Sequence, residues 1–275
     1  MTTKKQHYYP ICLLKHFAND KDKVNVYISQ TNKILVNNYK DVCAYNYAYE
    51  SSDSIDNILE SKLGHFESKA CSIVNYILKN IDPENLIIND EERYVLFQYI
   101  FLQYIRTDAG RVNFINYFEN IFSHQPRNYP ISLEEIKINK SKIQKFNAVF
   151  KQSDRLESFL NHMVLSPFME FHIAISRESL LTSDNPVIVT DNWSNLIFPI
   201  SPHYCIQFQH SNVKKIESLF IPLTPMQTRY INQATINTAN YFVISNEPFN
   251  IFHGAYLYNR FKNKNWKIGS PHLQQ

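Results

Sequence analysis

Tyr94 to Ile105 (YVLFQYIFLQYI) is the stretch that most limits how this chain can fold. Laid on a helix it is apolar all round, interrupted by Gln98 and Gln103. A bilayer-spanning helix takes about 20 apolar residues, and this run is shorter. It predicts a helix buried within the protein, with neighbouring elements surrounding it.

The rest of the chain falls into two textures. Gln6 to Phe17 predicts a short extended entry and then a helical turn. Val24–Ser29 and Lys33–Val36, either side of Gln30-Thr31-Asn32, predict a small hairpin. Val42–Tyr49 shows no regular pattern. From Asp53, a candidate N-cap, Ile55, Leu59, Leu63, Phe66, Ala70, Ile73 and Ile77 recur at helical spacing up to Asp82-Pro83. A second helix is expected from Asn89-Asp90 towards Phe122 with a break near Gly110. A loop is expected at Pro126 and Pro130, and further helices over Ser132–Phe150 and Asp154–Leu165. After Pro167 the pattern changes to short apolar runs between Asn, Asp, Ser and Pro. Phe171–Ile175, Ser179–Leu181, Val187–Thr190, Leu196–Phe198 and Tyr204–Phe208 predict strands, Thr224–Asn240 a helix, and Tyr241–Ser245 and Ala255–Tyr258 closing strands. Blocks of this kind predict an α+β fold, a helical N-terminal half with a small hairpin packed on a mainly antiparallel C-terminal sheet. We expect one globular unit over residues 1–275, mostly helical in 1–166 and mostly strand with one helix in 167–275.

Composition removes several functions. Only 4 glycines occur, and no glycine-rich phosphate loop is present. A net charge of +3 neither announces nucleic acid nor excludes it. Cys12, Cys43, Cys71 and Cys205 are far apart without a C-x-x-C pair, which argues against structural zinc or a disulfide framework and for a reducing, cytoplasmic setting. No apolar signal core opens the chain, and no membrane partner is expected. The histidines at 172, 203, 210 and 253 lack zinc-ligand spacing.

The N-terminal pattern Gln6-His7-Tyr8-Tyr9-Pro10, with Leu14 and Phe17, resembles the uncharacterised bacterial family called domain of unknown function 4238. Four further features follow in that family's order. These are Ala48-Tyr49-Glu50, the helical pair Glu60 and Glu67, Gln103 with Arg106-Thr107, and Thr182-Ser183-Asp184-Asn185-Pro186-Val187 followed by Phe198-Pro199-Ile200-Ser201-Pro202. Tyr9 stands where that family usually has a small aliphatic residue. Because some relatives look like single-gene anti-phage defence proteins, the resemblance implies a toxic or growth-arresting effector.

The candidate catalytic residues are His7, Glu60, Glu67, Arg106 and Asp184. Glu60 and Glu67 are seven residues apart, on one helix face beside the apolar stripe. They read either as hard-metal ligands or an acid–base pair, or as ordinary boundary glutamates. Arg106 ends a buried run, so it needs an anion: Glu60, Glu67, Asp184 or a substrate phosphate. His7 is a candidate base, or simply bonds a main-chain carbonyl. Asp184 sits in a turn where it either caps locally or projects into a cleft. Gln6, Tyr8, Gln103 and Asn185 are candidate substrate-binding residues. Together the set suits phosphodiester cleavage, with Mg²⁺ or Mn²⁺ held by Glu60, Glu67 and Asp184 and RNA or single-stranded nucleic acid as substrate. The alternatives are a non-enzymatic protein that binds a phage protein as its trigger, using the tyrosine-rich N-terminal half, and transfer of a nucleotide or sugar-nucleotide group to a target.

Overall fold

A computed structural model describes residues 5–51, 55–119, 131–163, 169–190, 195–210 and 218–263. Strand β1 (Lys5–His7) leads into α1 (Ile11–Leu14) and a turn of 3-10 helix, then β2 (Lys23–Ile28) and β3 (Lys33–Asn38) form the expected hairpin. β4 (Ala44–Asn46) pairs antiparallel with β1, so part of the stretch that shows no sequence pattern is strand. The helical block is α2 (Ile58–Lys79), α3 (Asp90–Ile105), α4 (Asp108–Glu119), α5 (Leu133–Ile138), α6 (Lys140–Lys151) and α7 (Arg155–Asn161). The last block is β5 (Met169–Ile175), β6 (Thr182–Ser183), β7 (Ile188–Thr190), β8 (Asn195–Pro199), β9 (Tyr204–His210), β10 (Phe220–Pro222), α8 (Pro225–Thr238), β11 (Phe242–Ser245) and α9 (Ile251–Phe261). The fold is α+β, as expected.

Two sheets carry it. One has the order β10-β5-β9-β8-β7, antiparallel except for the β10–β5 pair. Its side chains alternate with the period of two that a pleated strand imposes. Phe171, Ile173, Leu196, Phe198, Ile206 and Phe208 join the main core, whereas Ala174, Ile188, Ile197 and Cys205 pack with Ile231 and Ala234 of α8. The other sheet has the order β3-β2-β11-β6, so the N-terminal hairpin is built into the same sheet as a C-terminal strand. Val24, Val26 and Ile244 face the main core from it, and Tyr27 and Val243 face Leu257 of α9.

From Leu96 onward α3 is enclosed on all sides, as its composition demands. Phe97 meets Phe208 edge-on at 5.4 Å and Phe101 meets Phe114 at 6.1 Å, so the sheet lies on one side and helices on the other. Gln98 donates to Leu160 O at 2.8 Å, and Gln103 to Tyr8 O at 2.6 Å, so neither amide is left unpaired in the core.

Several boundaries differ from expectation for local reasons. Asp53, Phe122, Pro126, Pro130 and Leu165 lie outside the described residues. α2 begins at Ile58 after Asn57, whose φ of 59° is one that asparagine tolerates. Its N-terminal turn is held by the Glu50 carboxylate, which accepts from the N–H groups of Asp56 (3.1 Å) and Asn57 (3.3 Å). The Ser132 helix divides at Asn139 into α5 and α6. Ser179–Leu181 is not a strand; pairing starts at Thr182. Ala255–Tyr258 lies inside α9, because His253, Leu257 and Phe261 recur every four residues, a period that a four-residue window hides. The C-terminal part therefore has two described helices, not one. Cys12 and Cys71 form a disulfide with Cα atoms 6.1 Å apart, although 59 positions separate them in sequence. This goes against the expectation of no disulfide framework, while Cys43 and Cys205 are free. No described helix is long and apolar enough to cross a membrane.

The break between α3 and α4 falls at Arg106-Thr107, and Gly110 explains how the chain turns so closely. A Cβ at Gly110 would lie 1.7 Å from the Tyr104 carbonyl oxygen. Gly110→Ala should therefore force α4 away from the end of α3 and cost roughly 3 kcal/mol, the upper part of the range for overpacking. A denaturant titration that moves by less than about 1 kcal/mol would show that the backbone yields there freely.

Candidate functional site

The chemistry gathers where β1 crosses the end of α3. Arg106 closes α3, its charge set against the helix's carboxyl end. It is 3% exposed, and its guanidinium makes four polar contacts. Nη1 pairs with Glu67 Oε1 at 2.6 Å and reaches Gln103 Oε1 at 3.5 Å. Nη2 donates to the His7 carbonyl at 2.6 Å, and Nε donates to Tyr49 Oη at 2.9 Å. The predicted burial and pairing of Arg106 are therefore both present. Burial opposes the charge, yet the carboxylate of Glu67 keeps the guanidinium's pKa above its ordinary value. With so many donors engaged, Arg106 works on the protein's own groups and is not laid open for a substrate phosphate.

Tyr49 is the centre that sequence reading missed. Its hydroxyl accepts from Arg106 and donates to the His7 carbonyl at 2.9 Å. Its ring is near both Arg106 and Arg111, whose guanidinium carbons are 5.3 and 5.6 Å from the ring centre. Arg111 is fully enclosed, donating to Asn147 Oδ1 at 2.5 Å and pairing with Asp108 at 2.8 Å. Beside it Glu50 pairs with Lys151 at 2.7 Å and accepts from Gln6 Nε2 at 2.8 Å. The only sequence signal for Tyr49 and Glu50 is the Ala48-Tyr49-Glu50 motif; Arg111, Asn147 and Lys151 carry none. A small apolar-walled cavity lies among Tyr49, Leu63, Arg106, Arg111, Asn147 and Phe150, with room for about one water.

The four candidate substrate-binding residues are all buried and engaged inside the protein. Gln6 bonds Glu50, Asn57 and the Tyr49 N–H. Gln103 bonds Tyr8 O, Tyr99 and Arg106. Tyr8 is 5% exposed and stacks on Tyr241 at 6.4 Å. Asn185 bonds Asp184, Thr238 O and Asn240. Their roles are to hold β1, α3 and the Asp184 turn in place.

Asp184 does not join the others. It is fully buried among the backbone N–H groups of Asn240, Tyr241 and Phe242, at 3.0–3.3 Å. Burial raises its pKa to about 6 against the pull of those donors. The Thr182–Val187 turn is thus a clasp on β11, the local reading of that motif.

What remains at the rim is His7, Glu60 and Glu67. Glu67 keeps a fifth of its side chain exposed beside Arg106. Glu60, two turns earlier on the same helix face, is partly buried, and its Oε2 is enclosed without any hydrogen-bond partner. Burial, reinforced by Glu67 and Glu50 and opposed by Arg106, raises its pKa to about 7. His7 Nε2 bonds the Lys40 carbonyl at 3.1 Å, which requires the proton on Nε2 and leaves Nδ1 as a lone pair. Burial lowers its pKa below 6.5; Lys5 and Arg106 add to that, and the Lys40 bond and Glu67 oppose it.

The three carboxylates expected to hold Mg²⁺ or Mn²⁺ do not form a donor set. Glu67 is taken by Arg106 and Asp184 by the backbone, which leaves Glu60 alone. Among the described residues no group of three His, Cys, Asp or Glu side chains could hold a metal ion.

A family model described as Protein of unknown function (DUF4238) matches residues 5–248. No curated protein and no solved structure matches the chain.

Proposed function

Since this chain belongs to the DUF4238 family of proteins of unknown function, we propose that it is an anti-phage defence effector that cleaves nucleic-acid phosphodiesters by acid–base chemistry. The observation that carries this reading is Glu60, a carboxyl group without a partner whose pKa lies near neutrality, on the rim of a saturated Arg106–Glu67 pair. Groups of this kind cluster at catalytic sites. His7 supplies the complementary base through Nδ1. Such a pair suits RNA. His7 takes the proton of a ribose 2′-hydroxyl, the oxygen attacks the adjacent phosphorus, and protonated Glu60 gives its proton to the departing 5′-oxygen. The products are a 2′,3′-cyclic phosphate and a free 5′-hydroxyl. DNA has no such internal nucleophile. Lys5 and Lys40 are exposed residues beside His7, Lys5 through its charge and Lys40 through its carbonyl, and Lys5 Nζ pairs with Asp41 at 3.1 Å.

The experiment is incubation of the purified protein with total RNA, tRNA, plasmid and single-stranded DNA, in Mg²⁺, Mn²⁺ or chelator. RNA should be cut under all three conditions, with cyclic phosphate ends. If every substrate stays intact the nuclease reading falls. A second reading, a non-enzymatic sensor of a phage protein, is favoured by exposed Tyr45, Tyr47, Ile55 and Ile58 on the segments flanking Gln6 and Glu50.

A further inference from the structure

Among the described residues, strand β3 is an edge of its sheet, bonded only to β2. Its three central residues are apolar and open to solvent: Ile34 at 53%, Leu35 at 43% and Val36 at 61% exposure. Protein edges of this kind are ordinarily shortened, charged or covered, because unpaired backbone groups beside apolar side chains recruit another strand. Here six residues run without a described bulge, proline or acidic residue, and the only charge is Lys33 at one end.

We propose that β3 pairs antiparallel with β3 of a second copy of this chain, on a two-fold axis through Leu35, joining two four-stranded sheets into one of eight. The register follows from strand geometry. Directly opposed residues in an antiparallel pair either bond each other or both bond the far side. A strand paired with itself therefore has its two-fold on a residue, never between two. Leu35 is the centre of the apolar triplet, so Leu35 faces Leu35 and Ile34 faces Val36 twice. Lys33 falls opposite Asn37 at each end, and the two lysines stand at opposite ends of the pairing, where they do not repel. Apolar residues cover both faces of the ribbon: Leu35 lies on the Val26 side, Ile34 and Val36 on the side of Tyr27 and Asn25. A closed pair of this kind leaves no further edge at β3, which is how symmetric dimers end their assembly.

Light scattering on the eluting protein tests it. The chain mass is 32.5 kDa, so the expected species is twice that, about 65 kDa. Leu35→Lys puts two like charges face to face and should weaken association at least about tenfold, leaving the melting curve of the monomer unchanged because the side chain is exposed. Ile34→Lys and Val36→Glu should each weaken it singly, and together restore it through two opposed charge pairs; no other register gives that rescue. A species of 32.5 kDa at every concentration overturns the proposal, as does a dimer indifferent to Leu35→Lys. If the monomer instead binds an added apolar strand peptide, with protection of the β3 amides from exchange, the occupant is a foreign strand and the second copy is excluded.

Discussion

Arg106→Ala should unfold this protein at a temperature roughly 10 °C lower than the parent chain, corresponding to about 3–5 kcal/mol. The loss is large because the guanidinium is buried and makes four polar contacts. Removing the guanidinium leaves Glu67 without its cation and takes the donors from the His7 carbonyl and Tyr49 Oη. It also removes one of the two cations near the Tyr49 ring. Arg106→Lys should recover only a minor part, since a single ammonium cannot address contacts spread over a planar fork. Thermal melts of the three proteins decide it. An alanine variant within about 1 kcal/mol of the parent would mean that the pair is balanced by its own desolvation.

If the acid–base reading holds, RNA cleavage should follow a bell whose optimum lies below about pH 7, between the pKa values of His7 and Glu60. The acidic limb is His7, which must be neutral to accept a proton and whose pKa lies below 6.5. The alkaline limb is Glu60, which must keep its proton and loses it at about 7. His7→Ala and Glu60→Gln should each lower the rate by about 10²–10⁴-fold, and each should erase its own limb. Stability provides a separate check. Glu60 binds its proton more tightly folded than unfolded, so its contribution is present at low pH and is lost as pH rises to about 7. Glu60→Gln should flatten that slope in urea titrations at pH 5 and pH 8. A rate profile unaffected by Glu60→Gln would remove it from the chemistry while leaving the stability result intact.

The helical block was legible because its signal is periodic and long. The stripe from Leu59 to Ile77 and the all-round apolar run of α3 both survive in the structure, and so does the need of Arg106 for an anion. What was not legible depends on distance in sequence. Nothing near Cys12 announces Cys71, and nothing near Tyr49 announces the two arginines near its ring. The motifs misled in one respect. Gln6, Gln103, Asp184 and Asn185 are polar residues in apolar settings, which reads equally as a site or as a fastening. The structure makes them fastenings, because each spends its hydrogen bonds on backbone or on another motif. Glu60 and His7 differ: Glu60 Oε2 is enclosed without a hydrogen-bond partner, and His7 uses only Nε2.

The family match ends at residue 248, whereas α9 occupies residues 251–261. Leu257 joins the core against Tyr27 and Val243, the Phe261 ring lies 5.3 Å from that of Tyr27, and Arg260 donates to the carbonyls of Asn237 and Ala239 at the end of α8. The matched stretch therefore stops short of a helix that packs into the core. A chain cut at the family boundary would keep every motif and lose the cover of one face of the hairpin sheet.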